Sequence, residues 1–251
     1  MKKTRLLAFL LLAALLCGCA GNSRIPKATE PSPTTATAPA AQQTEDTQQE
    51  TPATQPTQAP ETHIMYAGAM EDYMLPLEEH SWDREEDVEF VMLHFTSAVV
   101  NNRKDPFNVA AIREIFFGYD VSIHYIIERD GTVRCYIPED RVAWHAGEGE
   151  YAGDEKYTNK MNLYSIGIEI IGIGSQEDMQ LYLTPEEYAA LDESQIGFTD
   201  EQYDALHALV ADICQRYDLP LDRDHVIGHS DYTEGNGDPG ALLDWNRVLN
   251  P

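Results

Sequence analysis

Thirty-five consecutive residues, 28–62, contain no Val, Ile, Leu, Met, Phe, Trp, Tyr, Cys or Gly. A stretch with nothing to bury has no gain to set against the entropy of ordering its backbone. Thr, Pro, Gln and Ala dominate it, and its six prolines bias it towards extended polyproline II. At about 3.1 Å per residue, such a spacer reaches on the order of 100 Å. Charge divides the chain at the same place. Residues 1–62 carry five basic and five acidic side chains, whereas residues 63–251 carry 12 and 38, so the whole net charge of −26 belongs to the C-terminal part. That sign argues against a nucleic-acid partner, which needs a cationic surface, and against electrostatic adhesion to anionic lipid. With 43% hydrophobic residues overall, residues 63–251 can still build one core.

The first residues read as a leader. Lys2, Lys3 and Arg5 precede Leu6–Leu16, an apolar run of 11 residues. It is too short to span a bilayer and fits a secretory signal. The following Leu16-Cys17-Gly18-Cys19 resembles a bacterial lipobox. By that resemblance residues 1–18 are removed, Cys19 receives a diacylglycerol, and 19–62 tether an exported domain to the outer face of a bacterial membrane. Cys17 suits cleavage less well, because Leu16 is a bulky neighbour. A multi-acyl anchor holds stably to a membrane, unlike one myristoyl chain.

Residues 63–251 alternate strand and helix signals. Glu89–His94 is a short apolar run that predicts a buried strand. Asp105-Pro106 opens a helical pattern to Phe117. Val121–Glu128 and Thr132–Ile137 flank Arg129-Asp130-Gly131, a hairpin signal. Ser165–Gly172 and Asp224–His229 predict further strands. Thr184-Pro185-Glu186-Glu187 and Thr199-Asp200-Glu201-Gln202 are capping-box openings. After the second, Tyr203, Leu206, Leu209, Val210, Ile213, Cys214 and Tyr217 share one face. The expected fold is α/β: a mixed central sheet of about five or six strands flanked by helices. Residues 173–198 read as an acidic insertion over or beside the core. Cys135 and Cys214 fall on apolar faces and are expected to be buried free thiols rather than a bridge.

His94 and His229 close strands, and Asp238 follows in a Gly-rich loop. Two imidazoles and a carboxylate suit Zn²⁺ with a fourth position left for water. Spacing alone does not separate that from ordinary structural histidines. The surrounding fragments add to it: Ser122-Ile123-His124-Tyr125, Arg129-Asp130-Gly131, Ala143-Trp144-His145-Ala146-Gly147, Asn162 with Ser165-Ile166-Gly167-Ile168-Glu169, Gly228-His229-Ser230-Asp231, and Asp238-Pro239-Gly240. In that order, over about residues 85–248, they resemble the zinc-dependent N-acetylmuramoyl-L-alanine amidases of the type-2 amidase family. That family is related to T7-type lysozyme and the peptidoglycan recognition proteins.

The resemblance implies one zinc ion on His94, His229 and Asp238, with Glu169 as the acid–base residue. It further implies a muropeptide or peptidoglycan substrate, cut at the amide between N-acetylmuramic acid and L-alanine. A non-catalytic muropeptide-binding module of the same fold is the alternative. Strand parity agrees with the role of Glu169, since Ile166, Ile168 and Ile170 point one way, Gly167 and Glu169 the other. Many members carry a Lys two residues before the third ligand; Asn236 stands there and can donate a hydrogen bond without charge. Ile123 stands where relatives lacking the strand Glu carry a Tyr. His124, Trp144, His145 and Asn162 are the expected substrate contacts. His124 also reads as a core histidine, and His145 as support for a ligand. Asp231 either orients His229 or opens the loop, and His225 is expected to point away. A monomer is expected.

Overall fold

The computed structural model describes residues 75–250; the leader, the spacer and Cys19 lie outside the described residues. In chain order, α1 (Leu77–His80) leads into β1 (Ser81–Asp83), β2 (Phe90–Thr96), α2 (Val109–Gly118), β3 (Tyr125–Ile127), β4 (Val133–Cys135) and β5 (Arg141–Ala143). Then follow α3 (Met161–Tyr164), β6 (Ser165–Ile171), α4 (Pro185–Ala189), α5 (Asp200–Arg216), β7 (Val226–Gly228) and α6 (Trp245–Leu249).

The two long apolar runs, β2 and β6, are the centre of a five-stranded sheet of order β4-β3-β6-β2-β7. The β3–β6, β6–β2 and β2–β7 pairs are parallel, and the β3–β4 hairpin is antiparallel. Parallel central strands are covered on both faces, which is why they read as near-continuous hydrophobic runs. On one face Val91, Leu93, Ile166, Ile168, Ile170 and Val226 pack against Leu206, Leu209, Val210, Ile213 and Cys214 of α5. Each such side chain contributes about 1.5–3 kcal/mol when fully buried. Phe90, Met92 and Ile227 turn to the opposite face. Alternation therefore sends His94, Gly167 and Glu169 to the face away from α5. Parallel pairing sets His94 beside Glu169 at the C-terminal ends of β2 and β6.

Both expected capping boxes form: Thr184 Oγ1 accepts from the Glu187 amide and Thr199 Oγ1 from the Gln202 amide, with reciprocal bonds from both partners. Other boundaries differ. The first long helix begins at Val109, because Asn108 Oδ1 caps the Ala111 amide at 2.9 Å and Asp105 binds the Asn108 side chain instead. Only Tyr125–Ile127 of the predicted 121–128 strand joins the sheet. Ser122 is diverted: its amide donates to Trp144 O, and its hydroxyl bonds His80 O and the Trp144 amide. A separate two-stranded ribbon, β1 with β5, has no counterpart in the sequence pattern, since three-residue strands carry no readable period. Residues 173–198 are built into the core. Ile173, Met179 and Leu183 pack with Val99 as a fourth apolar cluster. Cys135 and Cys214 are buried and unbridged, as expected, and burial pushes their thiols up to about 12 and about 11. Among the described residues, no helix is long and apolar enough to cross a membrane.

Candidate active site

A cleft of about 1010 Å³ opens over the C-terminal ends of β2, β6 and β7. His94, the last buried residue of β2, and His229, first in the turn after β7, bring their rings to 4.8 Å centroid separation. Asp238 reaches them from a tight loop. Asn236 Oδ1 accepts the Asp238 amide at 2.8 Å, and the Ser230 amide donates to Asp238 O at 2.8 Å. The Phe95 amide donates to Asp238 Oδ1 at 2.7 Å, leaving Oδ2 aimed at the two rings, 2.9 Å from His94 Nδ1 and 3.7 Å from His229 Nδ1. A side chain at Gly228 would meet Pro239 Cδ at 2.7 Å, so the loop seats this closely only against glycine.

The hydrogen bonds around these rings fix where their protons sit. Ser165 Oγ donates to Met161 O at 2.7 Å, so it can only accept from His145 Nε2 at 3.3 Å. Burial holds His145 well below the usual histidine range, so its ring is neutral and Nδ1 is an acceptor. That nitrogen takes the proton of His94 Nε2 at 3.0 Å. His94 Nδ1 is then a lone pair, facing a carboxylate oxygen. On the other side, His229 Nε2 donates to Ala146 O at 2.9 Å and its Nδ1 faces the donor Nδ2 of Asn236, whose Oδ1 takes the Asp238 amide, so Nδ1 presents a lone pair as well. Two nitrogen lone pairs and an oxygen lone pair thus converge within 4.8 Å of one another. Lone pairs on His94 Nδ1 and Asp238 Oδ2, 2.9 Å apart, repel, and a proton or a cation shared between them relieves the repulsion. Burial lowers the proton affinity of His94 and so favours its neutral ring, whose lone pair can serve a metal. A nitrogen, nitrogen, oxygen donor set of this kind suits a divalent transition metal. The orienting bonds behind each ring are those expected of metal-ligating histidines.

Glu169 lines the same cleft, and its Oε2 is buried without a hydrogen-bond partner. Burial, with the Asp238 charge nearby, holds its carboxyl well above the usual range. An orphaned buried carboxyl beside three converging lone pairs fits a bound cation, which would favour its ionised form. Asn236 Nδ2 donates to His229 Nδ1 at 3.1 Å, placing its amide at the edge of the donor set.

Trp144 and His145 line the cleft. His124 does not. It is fully buried, accepts the Gly167 amide at Nδ1 (2.9 Å) and faces Arg141 O at Nε2 (3.1 Å), so it is a core histidine joining β6 to β5. Asn162 also lies outside the cleft lining. Its Oδ1 accepts the His145 and Ala146 amides at 3.0 and 2.8 Å, which presents His145 to His94 rather than any group to a substrate. Asp231 accepts the Gly228 amide and pairs with Arg223, so it opens the loop, and Ala146 O orients His229. His225 pairs with Asp222, away from the cleft.

Sequence reasoning passed over Arg84. Its guanidinium bonds the carbonyls of Glu139, Leu163, Arg141 and Ser165, tying together the segments that carry His124 and Ser165. The role of the 173–198 segment, which the sequence leaves open, is visible in the structure. Residues 177–182 form one wall of the cleft, and Asp178 Oδ2 accepts the Ala241 amide at 3.2 Å just beyond Asp238.

A family model described as N-acetylmuramoyl-L-alanine amidase matches residues 84–241. Among curated proteins, the chain is 37% identical over 128 residues to the 1,6-anhydro-N-acetylmuramyl-L-alanine amidase AmpD of Enterobacter cloacae, covering 51% of this chain and 54% of that protein. The AmpD of Escherichia coli K12 is 33% identical over 128 residues, covering 51% and 56%. The chain thus spans about half the length of the curated relatives it matches. A solved structure of a selenomethionine AmpD derivative is 26% identical with a TM-score of 0.47, covering 67% of this chain and 88% of that one.

Proposed function

The chain belongs to the N-acetylmuramoyl-L-alanine amidase family, and we propose that it hydrolyses the amide joining N-acetylmuramic acid to L-alanine in peptidoglycan or muropeptides, with one zinc ion on His94, His229 and Asp238. The observation that carries this is the convergence of two unprotonated imidazole nitrogens and a carboxylate oxygen beside a buried, partnerless carboxyl. Zinc supplies a Lewis acid that acidifies water and polarises a carbonyl.

The chain's own groups do the rest. Glu169 accepts the proton of the attacking water and returns it to the departing alanyl amine, work worth about 10²–10⁴ in rate for such a residue. His145 and Ala146 O keep the two Nδ1 atoms free of protons. Asn236 Nδ2 offers a neutral donor to the oxyanion, where many members have a cation. Trp144 gives the cleft a flat apolar wall for a sugar or peptide. Release of stem peptide from purified sacculi tests the proposal. It should fall to background in Glu169→Ala and His229→Ala proteins, and unchanged rates in both would refute it.

The neutral Asn236 favours one second reading, a member that binds muropeptide without cutting it. Equilibrium binding with no product by mass spectrometry would select that reading. We also propose that Cys19 carries the lipid that holds the domain to the outer face of a bacterial membrane. Cys19→Ser should move the protein from the membrane fraction to the soluble fraction.

A further inference from the structure

The residues that line the cleft include Glu148, Glu177, Asp178 and Glu234 around its mouth and no Lys or Arg, among the described residues. The exposed three, Glu148, Glu177 and Glu234, come from three different loops: the one after His145, the 173–198 segment, and the one leading to Asp238. None of these three is in an ion pair among the described residues. Arg103, which follows the cleft-lining residues Val99, Val100 and Asn101, pairs with Glu187. A metal held by His94, His229 and Asp238 balances charge at the centre of the cleft and leaves the rim negative. The charges that line the rim are thus all of one sign, and low-dielectric walls focus such a field along the path a substrate takes.

We infer that this cleft selects stem peptides by charge, taking those whose carboxyl groups are amidated and disfavouring those that carry free carboxylates. The inference rests on the amidase reading above and adds the class of stem that reading leaves open. A carboxylate on the stem meets repulsion from three loops with no cation to receive it. A carboxamide of nearly the same shape avoids the repulsion and keeps the hydrogen bonds. An ammonium group on the stem is attracted by the same field. Charges acting across a partly solvated cleft shift relative rates by about tenfold at low ionic strength, and screening removes most of that by about 1 M salt.

Three synthetic N-acetylmuramoyl-L-alanyl peptides of one length test this with the full zinc-loaded chain. One bears stem carboxylates, one has them as carboxamides, and one has the carboxamides plus a lysyl ammonium. Both kcat/KM and the equilibrium Kd are measured at low and high salt. The expected order is ammonium, then neutral, then anionic, with about tenfold between the last two at low salt, compressed at high salt. In a Glu148→Gln, Glu177→Gln, Glu234→Gln protein, whose changes are exposed and isosteric, the ratio should collapse towards one. Equal values for all three peptides, or a preference that survives the triple substitution, would overturn the inference. Cleavage of none, with the binding order intact, would instead overturn the amidase reading and leave the charge selection standing.

Discussion

Gly167→Ala probes how tightly the support behind the metal ligands is packed. Gly167 does not have a positive φ, so an alanine meets no backbone penalty, only its neighbours. The added carbon would lie 2.6 Å from Ile123 Cδ1 and 2.7 Å from Cγ and Cδ2 of His145, where ordinary contact begins at 3.4 Å. Neither neighbour can yield freely. Ile123 is fully buried, and His145 is held at both ring nitrogens and through its backbone amide. The imidazole must retreat by about 0.7 Å, the gap between 2.7 and 3.4 Å, and its 3.0 Å bond to His94 goes with it. Overpacking of this kind costs about 1–3 kcal/mol. Losing the partner that orients a ligating histidine weakens metal binding about 10–100-fold. Urea unfolding of the metal-free chain reads the first effect, and zinc competition against a chromophoric chelator reads the second. Wild-type stability together with wild-type zinc affinity would show that His145 does not support His94 as described.

Three further substitutions test separate parts of the account. His145→Ala should lower zinc affinity by about 10–100-fold, measured by the same competition, and Gly167→Ala should add little to that loss once the ring is gone. Glu169→Gln should cut kcat by about 10²–10⁴ on a soluble muropeptide. The same variant should change the pH dependence of folding. Because burial raises the Glu169 pKa in the folded, metal-free chain, its contribution is complete below about 4.5 and is lost as pH rises towards the folded value. Metal-free wild type should therefore lose stability over that window relative to Glu169→Gln, as read by denaturant midpoints at pH 4 and 8. Arg84→Ala removes this donor from the carbonyls of Glu139, Leu163 and Ser165, at about 1–3 kcal/mol for each left buried and unpaired, while Arg141 O keeps His124 Nε2, so the soluble yield or the midpoint should drop sharply.

The parts legible in the sequence are those that local chemistry specifies. β2 and β6 are long apolar runs, so their existence and the side-chain parity that turns Glu169 away from α5 could be read directly. The two capping boxes needed only four residues each. His94, His229 and Asp238 were legible because each lies near or just beyond the C-terminal end of a predicted strand, or in a loop, among neighbours that form an ordered set of fragments. For His124 the sequence leaves substrate contact and a core role both open, and for Asn162 it suggests substrate contact, for a common reason. A polar side chain inside a motif suggests contact with substrate, yet both satisfy buried backbone amides. Arg84 stands in an acidic run, Asp83-Arg84-Glu85-Glu86, and looks like a surface charge until the fold gathers four carbonyls around it. The groups that fix the histidine tautomers include Ala146 O and Met161 O, and a main-chain carbonyl has no signature in a sequence. The 173–198 segment was readable as acidic but not as a cleft wall, because its apolar anchors Ile173, Met179 and Leu183 follow no single period.

The central claim is that water, activated between the His94, His229 and Asp238 cluster and Glu169, enters the lactyl carbonyl of muramic acid. Digesting a muropeptide in ¹⁸O-labelled water with the zinc-loaded chain, and weighing both products by mass spectrometry, tests it most directly. The account predicts one ¹⁸O in the muramic-acid carboxylate, an unlabelled stem peptide with a free alanyl amine, and neither product from His229→Ala. Label in the stem peptide, or labelled product from His229→Ala at the wild-type rate, would contradict it.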